Sequence, residues 1–279
     1  METHTRRRLR SLILLSALAV VTAADTHATD FSIFGRHAAD VAAEPLPGFE
    51  GVDARVLRRD SRGLVVEISV PSGVTVNARQ ANYTAEWFVL AGELQLEQGS
   101  RGELLTKQDY VRVPSREENL SLRAVQASKL LLFLDPPRSS DGEKFTLVRT
   151  SVNDWVAGMV SARDTGIALK LQVRDLYHEP QSGRRTWLLR AGADLTLPWE
   201  RHRTIEEGYL ISGDYRLVEC LDNREQSFDY RAGGYFYRAP GIVHGGPRSG
   251  SSGEIVMLLR TPDKLTVEFL PTCSPSTNP

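Results

Sequence analysis

Residues 199–213 read WERHRTIEEGYLISG, and residues 233–244 read GGYFYRAPGIVH. The whole chain has only six histidines, yet these two segments hold His202 and His244, together with Glu206. Imidazole nitrogens and carboxylate oxygens are common protein ligands of divalent transition metals. The two segments therefore predict one metal site, formed by side chains that lie far apart in the sequence.

Both segments have a counterpart earlier in the chain. Residues 85–97 (AEWFVLAGELQLE) align with residues 206–219, and residues 108–119 (QDYVRVPSREEN) align with residues 233–244. The two alignments are offset by 121 and 125 residues, so a small difference in one loop accommodates both. We therefore predict an internal duplication, with its boundary in the Pro- and Ser-containing residues 136–142.

Short apolar runs occupy most of the chain on either side of these blocks. They are rich in Val, Leu, Tyr and Phe, and Gly, Pro and Asp separate them; they span residues 64–70, 87–96, 130–134, 186–189, 209–218, 235–237 and 255–259. Runs of this length and composition are typical of an all-β sandwich or barrel. Residues 152–162 are the exception, and we predict a short helix there.

The N-terminus has the pattern of a secretory signal. Four arginines precede an apolar run over residues 12–21, and small residues follow it. Ten residues are about half of the ~20 that a helix needs to cross a bilayer. We therefore predict a cleaved signal peptide over residues 1–24, a periplasmic or secreted protein, and no membrane attachment after cleavage.

The charge balance argues against nucleic-acid binding. Residues 1–24 hold four arginines and one glutamate, so their removal takes the formal net charge from −1 to about −4. The mature chain thus lacks the basic surface that such proteins present. Arg238 lies within the second segment and Arg248 follows it; both are expected to be solvated, with binding of an anionic substrate as the alternative.

The two cysteines, Cys220 and Cys273, could pair in an oxidising compartment, but their sequence separation does not decide this. Neither has a histidine or a basic neighbour that would activate it as a catalytic thiol. His37 and His178 lie outside the two segments, and we expect both to be loop or edge residues.

The spacing of the residues in the two segments resembles that of the cupin superfamily. Its first motif is Gly, five residues, HxH, three or four residues, Glu, six residues and Gly; its second is Gly, five residues and PxGxxH. Here His202 occupies the second histidine of HxH, Glu206 follows after three residues, and Gly213 after six more. Gly233 begins the second motif and His244 ends it, although Ala replaces its proline. The resemblance implies an all-β bicupin, with two tandem double-stranded β-helix (jelly-roll) domains.

The resemblance also implies a domain organisation. After the signal peptide predicted over residues 1–24, we expect residues 25–49 to be an N-terminal arm, residues 50–140 a cupin domain without metal ligands, and residues 141–279 the metal-binding cupin domain. In the first domain the four ligand positions are occupied by Arg79, Ala81, Ala85 and Asn119. We expect that domain to keep the fold and to provide packing, an interdomain or dimer surface, or a cavity without metal. Glu86 lies one place out of register and faces the other way.

One departure from the cupin motif concerns Glu200, which replaces the first histidine of HxH. Because a strand alternates faces, Glu200, His202 and Glu206 can point inward together, whereas Glu207 is expected to face solvent. Glu200 is therefore a fourth ligand, a hydrogen-bond partner of a ligand, or an outward-facing charge. With His244, the set suits one divalent ion of Fe, Mn, Ni or Zn.

Two functions stay open at this stage. The first is a metal-dependent enzyme, most plausibly an oxygenase, that acts on a small molecule in the C-terminal barrel. The second is a non-catalytic ligand-binding or sensor cupin that holds a structural zinc ion. Three protein ligands with an open position indicate a catalytic site, and four closing a tetrahedron a structural one. Association into a homodimer through sheet edges is compatible with either function.

Overall fold

The structure is a computed structural model that describes residues 33–80, 82–99, 101–117, 120–137, 144–158, 171–193 and 195–273. All of them belong to one compact unit. The predicted signal peptide lies outside the described residues. So do two of the first-domain positions aligned with ligands, Ala81 and Asn119. No helix in the described ranges is long and apolar enough to cross a bilayer.

In the described residues, ten strands form the first barrel. They are β2 (Asp53–Asp60), β3 (Gly63–Val70), β4 (Thr75–Asn77), β5 (Thr84–Ala91), β6 (Leu94–Gln98), β7 (Arg101–Leu105), β8 (Tyr110–Val113), β9 (Leu120–Ala124), β10 (Ser128–Asp135) and β11 (Thr146–Val148). One sheet has the order β11-β8-β5-β10-β3-β2 and the other β4-β9-β6-β7. Their apolar residues meet in one buried core, which includes Trp87, Leu94, Leu122, Leu130 and Leu132.

The second barrel contains the remaining strands. They are β1 (Ile33–His37), β12 (Val156–Gly158), β13 (Leu171–His178), β14 (Arg185–Ala191), β15 (Trp199–His202), β16 (Glu206–Ser212), β17 (Asp214–Leu221), β18 (Arg224–Arg231), β19 (Gly234–Arg238), β20 (Val243–Gly245), β21 (Gly250–Ser251), β22 (Ile255–Thr261) and β23 (Val267–Leu270). One sheet has the order β1-β19-β16-β22-β14-β13-β12; the other is β18-β17-β20-β15-β23, with β21 beside β17. The predicted all-β fold class is confirmed.

Each barrel takes a strand from across the boundaries predicted from the sequence. Strand β1 lies in the predicted N-terminal arm, is followed by a 3-10 helix, η1 (Ala38–Asp40), and pairs with β19 of the second barrel. Strand β11 follows residue 140, yet it pairs with β8 of the first barrel. Strand β1 thus belongs to the second barrel although it precedes the first barrel in the sequence, and β11 belongs to the first barrel although it follows residue 140.

The helix predicted over residues 152–162 is wrong in its described part. Val156–Gly158 is strand β12, whose Val156 pairs with Val173 of β13. The preceding Trp155 ring is contacted by the guanidinium groups of Arg174 and Arg190, at 4.5 and 4.6 Å from its centroid. A strand partner that is distant in sequence thus outweighs the local helical tendency.

Strand register agrees with the duplication. In the first barrel Ala85 of β5 lies opposite Val113 of β8, and in the second Glu206 of β16 lies opposite Arg238 of β19. Both pairs follow the two sequence offsets. The same position is therefore apolar core in one barrel and a charged pair in the other.

The two motif glycines that align in the duplication occupy equivalent turns. Gly92 and Gly213 follow β5 and β16 with φ angles of +89° and +84°. A Cβ on Gly213 would lie 2.4 Å from the backbone oxygen of Glu254. Glycine is required there by both conformation and space.

Cys220 and Cys273 form a disulfide with a Cα–Cα distance of 5.4 Å. The sequence left this pairing open. The bond joins β17 to the segment after β23, and β23 in turn pairs with β15. The C-terminal segment is thus attached to β15 and β17, the two strands that flank β20 and its His244.

The larger sheets of the two barrels pack against each other through an apolar cluster. The first barrel contributes Leu57, Val65, Phe88, Tyr110, Leu131 and Phe133, and the second contributes Leu176, Tyr177, Leu188, Tyr209, Tyr235, Tyr237 and Leu258. The outer faces of both sheets are therefore buried, so their polar residues need partners within the protein.

Glu86 is the centre of a charged network in this interface. Its fully buried carboxylate accepts hydrogen bonds from Arg184 (3.0 Å), Thr186 (2.7 Å) and Arg260 (3.1 and 3.2 Å). Burial by itself would raise the pKa of Glu86, but Arg260 and Arg184 hold the pKa well below its usual range. The residue thus faces away from the barrel interior, as its register predicts.

The expectation that Glu207 faces solvent is wrong. Its side chain is buried and lies 3.1 Å from Arg58 and 3.7 Å from Arg260, and it accepts a 3.4 Å hydrogen bond from Tyr235. Alternation placed Glu207 on the outer face of the sheet correctly. That face, however, is covered by the first barrel.

Replacing Glu86 by Gln is expected to lower the free energy of unfolding by about 3–5 kcal/mol, because two buried arginines lose a charged partner. Chemical denaturation measures the change.

The stabilisation by Glu86 depends on pH. It is present above the unfolded carboxyl pKa of about 4.3 and is lost as the pH falls towards the lower native pKa. The control is Glu44→Gln, since the Glu44–Arg59 pair is half exposed and should be worth less than about 1 kcal/mol. Equal small losses for both variants would contradict the assigned role.

Candidate metal centre

Three strands bring the predicted ligands together. Alternation along β15 directs Glu200 and His202 to the same face, and antiparallel pairing with β20 places Glu200 opposite His244. Glu206 is the first residue of β16, just beyond the turn that follows His202. All four side chains are buried in the second barrel.

The ligand atoms of these residues converge. The Oε1 atom of Glu200 lies 3.4 Å from Nε2 of His244 and 3.9 Å from Nε2 of His202. The Oε2 atom of Glu206 lies 3.7 Å from Nε2 of His202 and 3.9 Å from Nε2 of His244. The ligand atoms of Glu200, His202 and His244 all lie within 4.8 Å of one another.

These separations fit a divalent ion. Two atoms that bind one ion at about 2.1 Å lie roughly 3.0–3.4 Å apart in octahedral or tetrahedral geometry. The Glu200–His244 separation already has this spacing, and the wider separations, up to 4.8 Å, would close to it with side-chain movements of about 1 Å. With a proton on Nδ1, His244 donates a 3.1 Å hydrogen bond to the Ile242 carbonyl, which leaves the Nε2 lone pair facing the site.

The electrostatics also favour a cation. Burial above all raises the pKa of Glu200 to about 7, with Glu206 adding to the shift and His202 opposing it. Burial, together with Arg238 and His202, places the pKa of His244 well below its usual value, so this imidazole is neutral at pH 7. His244 therefore offers a neutral imidazole, and the neighbouring Glu200 offers a carboxylate that no Arg or Lys among the described residues contacts directly. Both are the forms that favour metal binding.

Arg238 is part of the site, and the expectation that it is solvated is wrong. Its buried guanidinium donates from Nη1 to Oε2 of Glu206, and from Nε to Oε1 of Glu219 at 3.1 Å. Burial would raise the pKa of Glu206, but His202 and Arg238 outweigh it and lower the pKa overall. Glu206 is therefore ionised and paired with a fixed positive charge.

Sequence reasoning did not identify Glu219. The sequence signal that could have found it is alternation along β17, because Glu219 falls on the same face as Tyr215 and Leu217, which are both buried on the inner side. A charged residue in phase with core residues requires a buried partner. Arg248, by contrast, is largely exposed and pairs with Glu225, and His178 is exposed at the end of β13.

The cluster of Glu200, His202, Glu206 and His244 lies at the polar end of a cavity of about 570 Å³ inside the second barrel. The other walls are mostly apolar and include Leu171, Val173, Trp187, Leu189, Leu195, Leu197, Met257, Leu259, Leu265 and Val267. Apolar walls with a few convergent polar groups are typical of sites for small molecules.

No protein-family model matches the sequence, and no curated protein matches it. Solved structures do match the fold. Protein Ylba from E. coli is 13% identical, with 82% of this chain and 90% of that chain covered and a TM-score of 0.62. Oxalate decarboxylase from Lactobacillus farciminis, solved as a formate complex, is 10% identical, with 85% and 88% covered and a TM-score of 0.59. A cupin 2 conserved barrel domain protein from Leptotrichia buccalis is 10% identical, with 78% and 91% covered and a TM-score of 0.54.

The chain has the cupin fold. The likeness covers both barrels, and it confirms the fold that the resemblance of the two motifs implies. At these identities it is a statement about fold. The fold hosts many functions, so the function of this chain depends on the residues of its own site.

Protein purified without added metal is expected to contain about one divalent ion per chain, since the ligand set is present in the second barrel. The double change His202→Ala and His244→Ala should abolish that metal, while His178→Ala should leave it unchanged. Elemental analysis of the three proteins is the measurement. Two ions per chain, or metal retained in the double variant, would contradict the site.

Metal affinity is expected to fall as the pH drops from 7 to 6, because Glu200 has a pKa of about 7 and must lose its proton to bind. One proton per ion gives a loss of about tenfold per pH unit below the pKa. Calorimetric titration with Zn(II) over this range measures the change. A glutamate with an ordinary pKa of about 4.3 would leave the affinity flat above pH 6, and such a result would contradict the raised pKa of Glu200.

Proposed function

We propose that this cupin is an exported, divalent-metal-dependent enzyme of oxygenase type that acts on a small, largely apolar molecule in the second barrel. The observation that carries the proposal is the convergence of Glu200, His202 and His244 at the polar end of an apolar cavity. Two imidazoles and one carboxylate are the ligand set of non-haem Fe(II) oxygenases.

The protein's own groups have distinct tasks in this proposal. Apolar walls such as Trp187 and Met257 hold the body of the substrate and exclude water from the reacting end. Glu206, which Arg238 keeps ionised, can accept a hydrogen bond from a substrate hydroxyl beside the imidazoles and orient it. When bound, the metal would supply open coordination positions for the substrate and for dioxygen.

The comparisons add limited support. The similar solved structures include an oxalate decarboxylase, so the same fold accommodates an enzyme for a small molecule. Identity of 10% carries no residue role to this chain. The oxygenase assignment therefore rests on the ligand set and the cavity.

Export is part of the proposal. The predicted signal over residues 1–24 would direct the chain to the periplasm or the medium, where the disulfide between Cys220 and Cys273 would persist. We propose a small molecule as the partner of the mature protein, with no nucleic acid and no membrane. A homodimer through sheet edges is compatible with this assignment.

One observation favours a second candidate function. Glu206 places a fourth donor atom within 3.9 Å of both imidazole Nε2 atoms. If all four residues bind the ion, the site is closed in the manner of structural zinc centres. The protein would then be a non-catalytic sensor or ligand-binding cupin.

Dioxygen consumption distinguishes the two functions. Samples loaded with Fe(II), Mn(II) or Ni(II) should consume dioxygen with at least one class of diketone, flavonoid or phenolic acid. The activity should disappear in His202→Ala and remain in His178→Ala. No consumption with any metal and substrate class would contradict the oxygenase and favour the binding protein.

A further inference from the structure

We propose that Arg238 is a positioning residue that holds the Glu206 carboxylate away from the metal. Glu200, His202 and His244 are then the three protein ligands. This inference rests on the proposed metal site and goes beyond it. It states that Arg238, which is not a ligand, determines how many protein ligands the ion has.

Arg238 is fixed by two carboxylates. Its side chain is 2% exposed, with Nη1 bound to Glu206 and Nε bound to Glu219 at 3.1 Å. A guanidinium is always charged, and turning it away from Glu206 would leave a buried charge with one partner fewer. The pair between Arg238 and Glu206 is therefore a stable part of the barrel interior.

Arg238 engages the same oxygen that the metal would need. Oε2 of Glu206 is the atom that accepts from Arg238, and it is also the atom nearest to the imidazoles of His202 and His244. Its negative charge is shared with the guanidinium, which weakens it as a donor. In the part of the chain that the structure describes, the direct ion-pair contacts of Glu200 are with the two histidines.

The first barrel gives an independent comparison. At the register position of Glu206 and Arg238 it has Ala85 opposite Val113, and both are fully buried in the apolar core. The carboxylate and its arginine are thus present together in one copy and replaced together in the other. Two residues that act as a unit show this pattern.

The consequence is a change in what the site can do. Three protein ligands leave positions on the ion free for small molecules, whereas four close it. Arg238 is in this way the residue that separates a catalytic site from a structural one on the same scaffold.

Cobalt(II) absorption spectroscopy tests the inference, because the position and intensity of the visible bands report coordination number. Wild type, Glu206→Gln, Arg238→Met and the double variant are titrated with Co(II), and the dissociation constant is measured in each. Glu206→Gln should keep the wild-type spectrum. Arg238→Met should change it and tighten binding by about tenfold or more as Glu206 joins the ion, and the double variant should return to the wild-type spectrum.

The control is Arg185→Met, since Arg185 lines the same cavity but pairs with the exposed Asp175. It should leave the spectrum unchanged. An unchanged spectrum in Arg238→Met, or a lost-ligand spectrum in Glu206→Gln, overturns the inference.

If circular dichroism shows that Arg238→Met does not fold, Glu206→Gln and Arg238→Lys decide. Both should keep the wild-type spectrum, because lysine retains the charge, and a change in either contradicts the proposal. A wild-type protein that binds no Co(II) would instead refute the metal site itself.

Discussion

The second barrel buries more negative than positive charge in an apolar interior. Glu200, Glu206 and Glu219 are all less than a tenth exposed, and Arg238 is the cation in direct contact with two of them. An uncompensated buried carboxylate costs several kcal/mol. Glu200 is left to hold its proton or to bind a cation, which is why its pKa rises to about 7. The rest of the site follows from this imbalance, since two imidazole nitrogens face the same point.

The duplication shows how one scaffold serves two purposes. In the first barrel, Ala85, Trp87 and Val113 belong to a continuous apolar core, and the strands are held by packing. In the second, Glu206 and Arg238 occupy the register of Ala85 and Val113, and the interior holds a cavity of about 570 Å³. The sheets of the two barrels join through Glu86, Arg184 and Arg260, so the first barrel packs against the outer face of the barrel that holds the cavity.

Much of this could be predicted from the sequence. Alternating apolar runs identified the all-β class, and motif spacing identified His202 and His244. Strand parity allowed Glu200 to point inward without deciding it, and it gave the side of the sheet for Glu207. Parity does not show what covers that side, and Glu207 is covered by the first barrel. The expectation that Arg238 is solvated and the helix expected over residues 152–162, in its described part, failed for the same reason, because the partners of these residues lie far away in the sequence. The disulfide also needed the fold, which brings the Cα atoms within 5.4 Å.

The central claim is that one divalent ion binds between His202 and His244 in the second barrel, with Glu200 as the carboxylate ligand. Anomalous scattering from crystals of the purified protein, measured at the absorption edge of its metal, tests this most directly. The account predicts a single peak per chain, within about 2.3 Å of both Nε2 atoms and of a Glu200 oxygen. A peak in the first barrel, or one that these three residues do not contact, would contradict it.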